Sequence, residues 1–157
     1  MQDLSEAYKE TMSYWPSGVA VVTTEHDGKS YGMTVSSFTS VSLTPPMVSV
    51  CIDKRAQMCG LFEKSGQFTI HILKYSQIDL AKIFSNHQLN MSQRFEQAGT
   101  KLEKALGSLD CKLSSFHDTG DHMIYVGEVR QAGSCEGADP LIFYRRDWHR
   151  VEDIKVV

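Results

Sequence analysis

A chain of 157 residues with 41% apolar and 22% charged side chains is long enough for a single domain, expected over residues 1–157, and two domains would be cramped. Its formal net charge of −3 offers a polyanion no long-range attraction, and the basic stretches at Lys54-Arg55 and from Arg145-Arg146 to His149-Arg150 are short, which argues against nucleic acid as a partner. No apolar run nears the roughly 18 residues of a membrane helix, Met1 to Glu6 lacks a secretory pattern, and Cys51, Cys59, Cys111 and Cys135 form no Cys-x-x-Cys pair, so the expectation is a cytoplasmic chain with reduced thiols, no metal site and no membrane span.

Asp3-Leu4-Ser5-Glu6 has capping-box spacing, and Leu4, Ala7, Tyr8 and Met12 recur at helical intervals, which predicts a short amphipathic helix ended by Pro16 and Gly18. The β-branched run Val19 to Thr24 leads into Asp27-Gly28, a tight-turn signal, so a β-hairpin follows. Its return strand is expected to start near Ser30 and continue through the hydroxyl-rich segment to Ser42. Pro45-Pro46 breaks that run, and Met47 to Ile52 is read as the next strand. A short helix is expected over Gln57 to Lys64, then a strand from Phe68 to Leu73 with Phe68, Ile70 and Ile72 on one face and His71 on the other. Ser76 to Asp79 resembles a helix start. Asn86 to Thr100 is polar and weakly periodic and reads as a surface loop with some helical content. Leu102 to Leu109 suggests a helical turn. Strands are expected near Asp110 to Phe116, His122 to Arg130, Leu141 to Tyr144 and Trp148 to Val151. Many short strands without regular β-α alternation predict a mainly β fold, an antiparallel barrel with peripheral helices.

The sequence lacks Gly-x-Gly-x-x-Gly, P-loop, Gly-x-Ser-x-Gly and His-Glu-x-x-His patterns, which removes the usual dinucleotide, nucleotide, hydrolase and zinc signatures. Two segments invite a ligand. Gly32 to Ser42 carries four serines and two threonines in a segment that otherwise reads as buried. Each hydroxyl buried without a partner costs about 1–3 kcal/mol, so the stretch meets water as an edge strand, neighbouring backbone, or a polar ligand whose site it walls and where Gly32 would let the main chain approach. Asp53 to Met58 stands where a strand ends and a helix is expected. It is either a solvated turn or an anion site that combines helix N–H groups with the Arg55 fork.

Taken in order, the segments Pro16-Ser17-Gly18-Val19-Ala20-Val21-Val22-Thr23, Gly32 to Ser42, Pro45-Pro46-Met47-Val48, Leu80 to Ser85, Arg94-Phe95, Gly120-Asp121-His122, Gly127-Glu128-Val129, and Pro140-Leu141 with Tyr144-Arg145 resemble the flavin reductase-like family. The resemblance runs from about Met12 to Val151. It implies the FMN-binding split β-barrel and an NAD(P)H:flavin oxidoreductase, with FMN or FAD as the flavin and NADH or NADPH as the hydride donor. A homodimer is implied, as is a flavin-dependent monooxygenase partner. By this resemblance Thr34, Val35, Ser36 and Ser37 line the flavin ring, and Cys51, Ile52 and Asp53 pass the ribityl chain. Lys54, Arg55, Gln57 and Met58, with Phe84, Ser85 and Arg94, surround the phosphate, while His122 and Tyr144 approach the nicotinamide. Ala56 and Met58 depart from the Ser and Thr of many relatives. No amino-acid nucleophile is required, since the hydride passes between cofactors. Two other readings keep part of this pattern: a flavin-binding electron carrier without NAD(P)H turnover, and a split barrel serving as a non-catalytic heme- or protein-binding module.

Overall fold

The computed structural model describes residues 3–153; the two residues before them and residues 154–157, the ends of the expected domain, lie outside the described residues. Helix α1 (Leu4–Ser13) is capped by the Asp3 side chain, which accepts from the Ser5 amide. Ten strands follow: β1 (Ser17–Gly18), β2 (Ala20–His26), β3 (Lys29–Val35), β4 (Thr39–Leu43), β5 (Pro46–Asp53), β6 (Gln67–Ile72), β7 (Gly107–Thr119), β8 (His122–Ser134), β9 (Ile142–Tyr144) and β10 (Asp147–His149). Three helices interrupt them, α2 (Leu61–Ser65), α3 (Ile78–Ser85) and α4 (Met91–Ala98).

Seven strands form one antiparallel sheet in the order β3-β2-β6-β7-β8-β5-β4, and β1, β9 and β10 form a small second sheet. The edge strands β3 and β4 are consecutive in the chain and joined only by Ser36, Ser37 and Phe38. So short a link between opposite edges requires the sheet to roll up until they meet, which makes a barrel split along one seam. Ser37 spans that seam: its hydroxyl donates to the Cys51 carbonyl at 2.9 Å and accepts from the Cys51 amide at 3.0 Å.

Burial on both faces explains the unbroken apolar run at the start of β2. Ala20 and Val22 point into the barrel with Val50, Ile52, Phe62, Phe68, Ile70 and Tyr125, whereas Val19 and Val21 point outward beneath Leu80, Ala81 and Phe84 of α3 and Ala98 of α4. Inside the barrel, Phe62 stacks on Phe68 with ring centroids 4.9 Å apart and meets Tyr125 edge-on at 5.0 Å. The Tyr125 hydroxyl accepts from the Gly60 amide at 3.0 Å and donates to Glu63 at 2.8 Å. Burial foremost pushes its pKa far above the usual tyrosine range. Tyr125→Phe is expected to cost about 1–2 kcal/mol, because it strands the Gly60 amide and one Glu63 oxygen. A urea melt checks this, and an unchanged midpoint at equal slope would count against that hydrogen-bond pair.

Three elements differ from the sequence expectation, and one partly helical loop agrees with it. The strand expected to run from Ser30 to Ser42 stops at Val35 and restarts on the opposite sheet edge at Thr39. Where a helix was expected over Gln57 to Lys64, residues 54–60 are turns, and the helix begins only at Leu61, after Gly60 at φ 79°. The surface loop with some helical content expected over Asn86 to Thr100 holds that helical part as α4. There Asn90 accepts from the Gln93 amide and the Gln93 side chain accepts from the Asn90 amide, each at 3.0 Å. The helical turn expected to reach Leu109 ends at Lys104, and β7 starts at Gly107.

Candidate functional site

A cleft of about 830 Å³ opens beside the seam, between β3, the turn after β5 and the segment linking α3 to α4. Its floor is set by the hairpin geometry of β2 and β3. Register runs from the closing pair His26 and Lys29, so Gly32 and Thr34 fall on the pairs that do not exchange hydrogen bonds, and their amides and carbonyls face away from β2. The Gly32 carbonyl accepts from Arg94 Nη1 at 3.2 Å. The Thr34 main chain therefore presents a donor and an acceptor along the unpaired edge of β3, where Thr34 lines the cleft. Thr34's own hydroxyl is occupied, donating to the Ala81 carbonyl at 2.7 Å.

The opposite wall depends on Arg94, which is only 8% exposed. Its guanidinium donates to the carbonyls of Leu89 (3.2 Å), Gly32 (3.2 Å), Phe84 (3.1 Å) and Asn86 (2.9 Å). Those contacts tie edge strand β3 to the end of α3 and to the loop before α4. Burial draws the guanidinium below its ordinary pKa, and accepting carbonyls on four sides are what make a buried charge tolerable there.

At the far end of the cleft, Asp53 folds the turn back on itself. Asp53 Oδ1 accepts from the Arg55 amide at 2.8 Å, and the Arg55 side chain donates to the same carboxylate from Nε (3.1 Å) and Nη2 (2.7 Å). Hydrogen bonding from Arg55 holds the Asp53 carboxyl far below the usual carboxylate range. Across the β5–β8 ladder His122 stands directly opposite Asp53, and its Nδ1 donates to Asp121 Oδ1 at 2.6 Å, which lowers the Asp121 pKa.

Thr34, Asp53, Arg55, Gln57, Met58, Phe84, Ser85 and Arg94 thus share one cleft, with His122 at its rim through the pairing with Asp53. The other sequence candidates lie elsewhere. Val35 and Ile52 point into the barrel core, and Ser37 and Cys51 are bonded to each other across the seam. Ser36 is an exposed residue of the β3–β4 link. Lys54 turns toward the β7–β8 hairpin, where Nζ donates to Asp118 at 2.6 Å and to the Gly120 carbonyl at 2.7 Å. Tyr144 belongs to the small sheet and packs against His149.

Two site arguments made from sequence are corrected. Gly32 makes room for α3, not for a ligand: a Cβ there would lie 2.7 Å from the Phe84 ring and 3.2 Å from Phe95. The Asp53 to Met58 turn does not itself open a helix, since α2 starts three residues later, at Leu61. What the sequence reading missed is the wall formed by His87, Gln88, Leu89, Asn90 and Met91. The Asn90-x-x-Gln93 capping spacing was its available signal.

The cleft suits a flavin. It has room for a tricyclic ring and tail, apolar contact from Met33, Met58, Phe84, Leu89 and Met91, and the Thr34 main-chain edge for a heterocycle that itself presents alternating donors and acceptors.

A family model described as the flavin reductase like domain matches residues 12–152. The reductase component of 4-nitrophenol 4-monooxygenase/4-nitrocatechol 2-monooxygenase from Rhodococcus opacus is 35% identical over 150 residues, covering 92% of this chain and 80% of that protein. The reductase component of 4-hydroxyphenylacetate 3-monooxygenase from Thermus thermophilus is 30% identical over 148 residues, covering 94% and 97%. Among solved structures, the NADH:FAD oxidoreductase of Streptomyces globisporus, in complex with NAD and FAD fragments, superposes with a TM-score of 0.84 at 28% identity, covering 94% of this chain and 92% of that one. Since that family model matches residues 12–152, nearly the whole described chain, this protein belongs to the flavin reductase-like family.

Proposed function

We propose that this chain is an NAD(P)H:flavin oxidoreductase whose flavin lies in the cleft against the free edge of β3, and that the Thr34 main chain facing that cleft is the observation that carries the assignment. A bound flavin supplies the redox chemistry, accepting a hydride from the nicotinamide. The protein's part is to fix the ring. The Thr34 amide and carbonyl meet its polar edge, while Met33, Phe84 and the Arg94-bound loop exclude water from the remainder. Ser36 and the residues of the seam, Val35, Ser37, Cys51 and Ile52, contribute backbone and shape; Gln57, Met58 and Ser85 flank the tail. His122 is proposed to contact the nicotinamide, since its Nδ1 is fixed by Asp121 while Nε2 makes no hydrogen bond among the described residues; Tyr144 is proposed there on the family resemblance.

Anaerobic stopped-flow mixing with NADH or NADPH and FMN or FAD tests this directly, with bleaching of the flavin as the expected result. Flavin that binds without bleaching would favour the electron carrier, and protein that binds no flavin the non-catalytic module. His122→Ala is expected to lower kcat/KM for the nicotinamide about tenfold, the loss of roughly one hydrogen bond in the transition state, with a smaller effect on flavin affinity. Equal losses in both would sink the nicotinamide assignment.

Relatives named as reductase components support a monooxygenase as the consumer of reduced flavin. A homodimer is supported by α1. This ten-residue helix buries no side chain and leaves Leu4 82%, Tyr8 64% and Trp15 at its end 72% exposed, and so short a helix is marginal alone in water. A cytoplasmic setting accords with four unpaired cysteines. No described helix is long and apolar enough to cross a membrane.

A further inference from the structure

Riboflavin and FMN share one ring and one ribityl chain and differ by a terminal phosphate, so the cations around the cleft decide whether the phosphate matters. Granted that the cleft is the flavin site, three cations stand near it, and each is engaged. Arg94 gives its guanidinium to four main-chain carbonyls. Lys54 is turned away onto Asp118 and the Gly120 carbonyl. Arg55 alone is solvent-facing, with its side chain 87% exposed, and Asp53 holds it through a two-point contact.

A phosphate approaching Arg55 therefore meets the Asp53 carboxylate on the same guanidinium, with Asp121 near enough to act on Arg55 as well. The local sum of Arg55, Asp53 and Asp121 is not positive, and like charges offset the gain from a forked contact. What remains is an imidazole and two main-chain amides. His87 lines the cleft, and the Gln57 and Met58 amides donate to no main-chain carbonyl among the described residues.

We infer that the terminal phosphate adds little to flavin binding by this chain, and that Asp53 sets this specificity by occupying Arg55. The enzyme consequently takes riboflavin nearly as well as FMN.

The test is fluorescence quenching of riboflavin and of FMN by the full chain, in the unaltered protein and in Asp53→Asn. The asparagine keeps a carbonyl oxygen for the Arg55 amide and removes the charge. The expected ratio of the two dissociation constants is below about fivefold in the unaltered protein, and Asp53→Asn raises it in favour of FMN by about tenfold, the effect of releasing a charge-assisted contact. Asp53→Ser, which also retains an acceptor for the turn, should shift the ratio in the same direction. An FMN preference of fivefold or more in the unaltered protein overturns the inference, as does a ratio that neither variant moves. Failure to quench either flavin overturns instead the placement of flavin in this chain, on which the inference rests.

Discussion

Arg94→Ala is expected to lower the thermal midpoint of the flavin-free protein by roughly 10 °C. Four carbonyls lose their shared donor, and at about 1 kcal/mol net for each bond the sum is about 4 kcal/mol. A chain of this size loses about 2–4 °C per kcal/mol. Arg94→Lys should recover less than half of the loss, because one ammonium cannot span carbonyls on β3, α3 and the following loop as a planar fork does. Flavin affinity falls in both variants, since the segment from His87 to Met91 is a wall of the cleft. Calorimetry without flavin is the decisive measurement. If Arg94 served the flavin phosphate and not the wall, the flavin-free midpoint would stay within about 3 °C and only binding would suffer.

Gly127→Ala should destabilise the chain by about 3 kcal/mol although it adds one methyl group. In the middle of β8, a Cβ at this position would lie 2.5 Å from Phe68 Cζ and 2.8 Å from the Cys111 Cβ. Neither neighbour has room to retreat: Phe68 is 2% exposed and stacked on Phe62, and Cys111 is 3% exposed. Overpacking of a closed core typically costs 1–3 kcal/mol, and the upper end applies where the obstacle is a wedged aromatic ring. Denaturant unfolding followed by fluorescence measures it. A midpoint equal to that of the unaltered protein would mean that the barrel interior is looser than this packing implies.

Strands were legible wherever one rule governed them. The Asp27-Gly28 turn fixed the first hairpin, and alternation placed Phe68 and Ile70 on the core face and His71 on the other. The missed features depend on distant partners. Nothing local at Ser36 to Phe38 says that the next strand crosses to the opposite sheet edge; that follows from closure of the whole barrel. The serine- and threonine-rich segment was singled out as needing water, backbone or ligand partners, and two of its hydroxyls, on Thr34 and Ser37, have them in the main chain of α3 and β5. Arg94 was placed beside the phosphate by the family resemblance alone, and its burial and its four carbonyl partners could not be read from its neighbours in the sequence. The Gly127-Glu128-Val129 motif owes its glycine to the Phe68 ring, which comes from a strand some sixty residues earlier in the chain, a contact that only packing reveals.

Helix α1 has one more consequence. Because none of its side chains is buried within the protomer, opening it costs little beyond its own hydrogen bonds, and its peptide groups belong to the least cooperative part of the molecule. Deuterium uptake there reports chiefly whether something lies over Leu4, Tyr8 and Trp15. Rapid labelling on dilution and slow labelling when concentrated would turn this exposed helix into an internal gauge of self-association, while the seven-stranded sheet keeps its protons at either concentration.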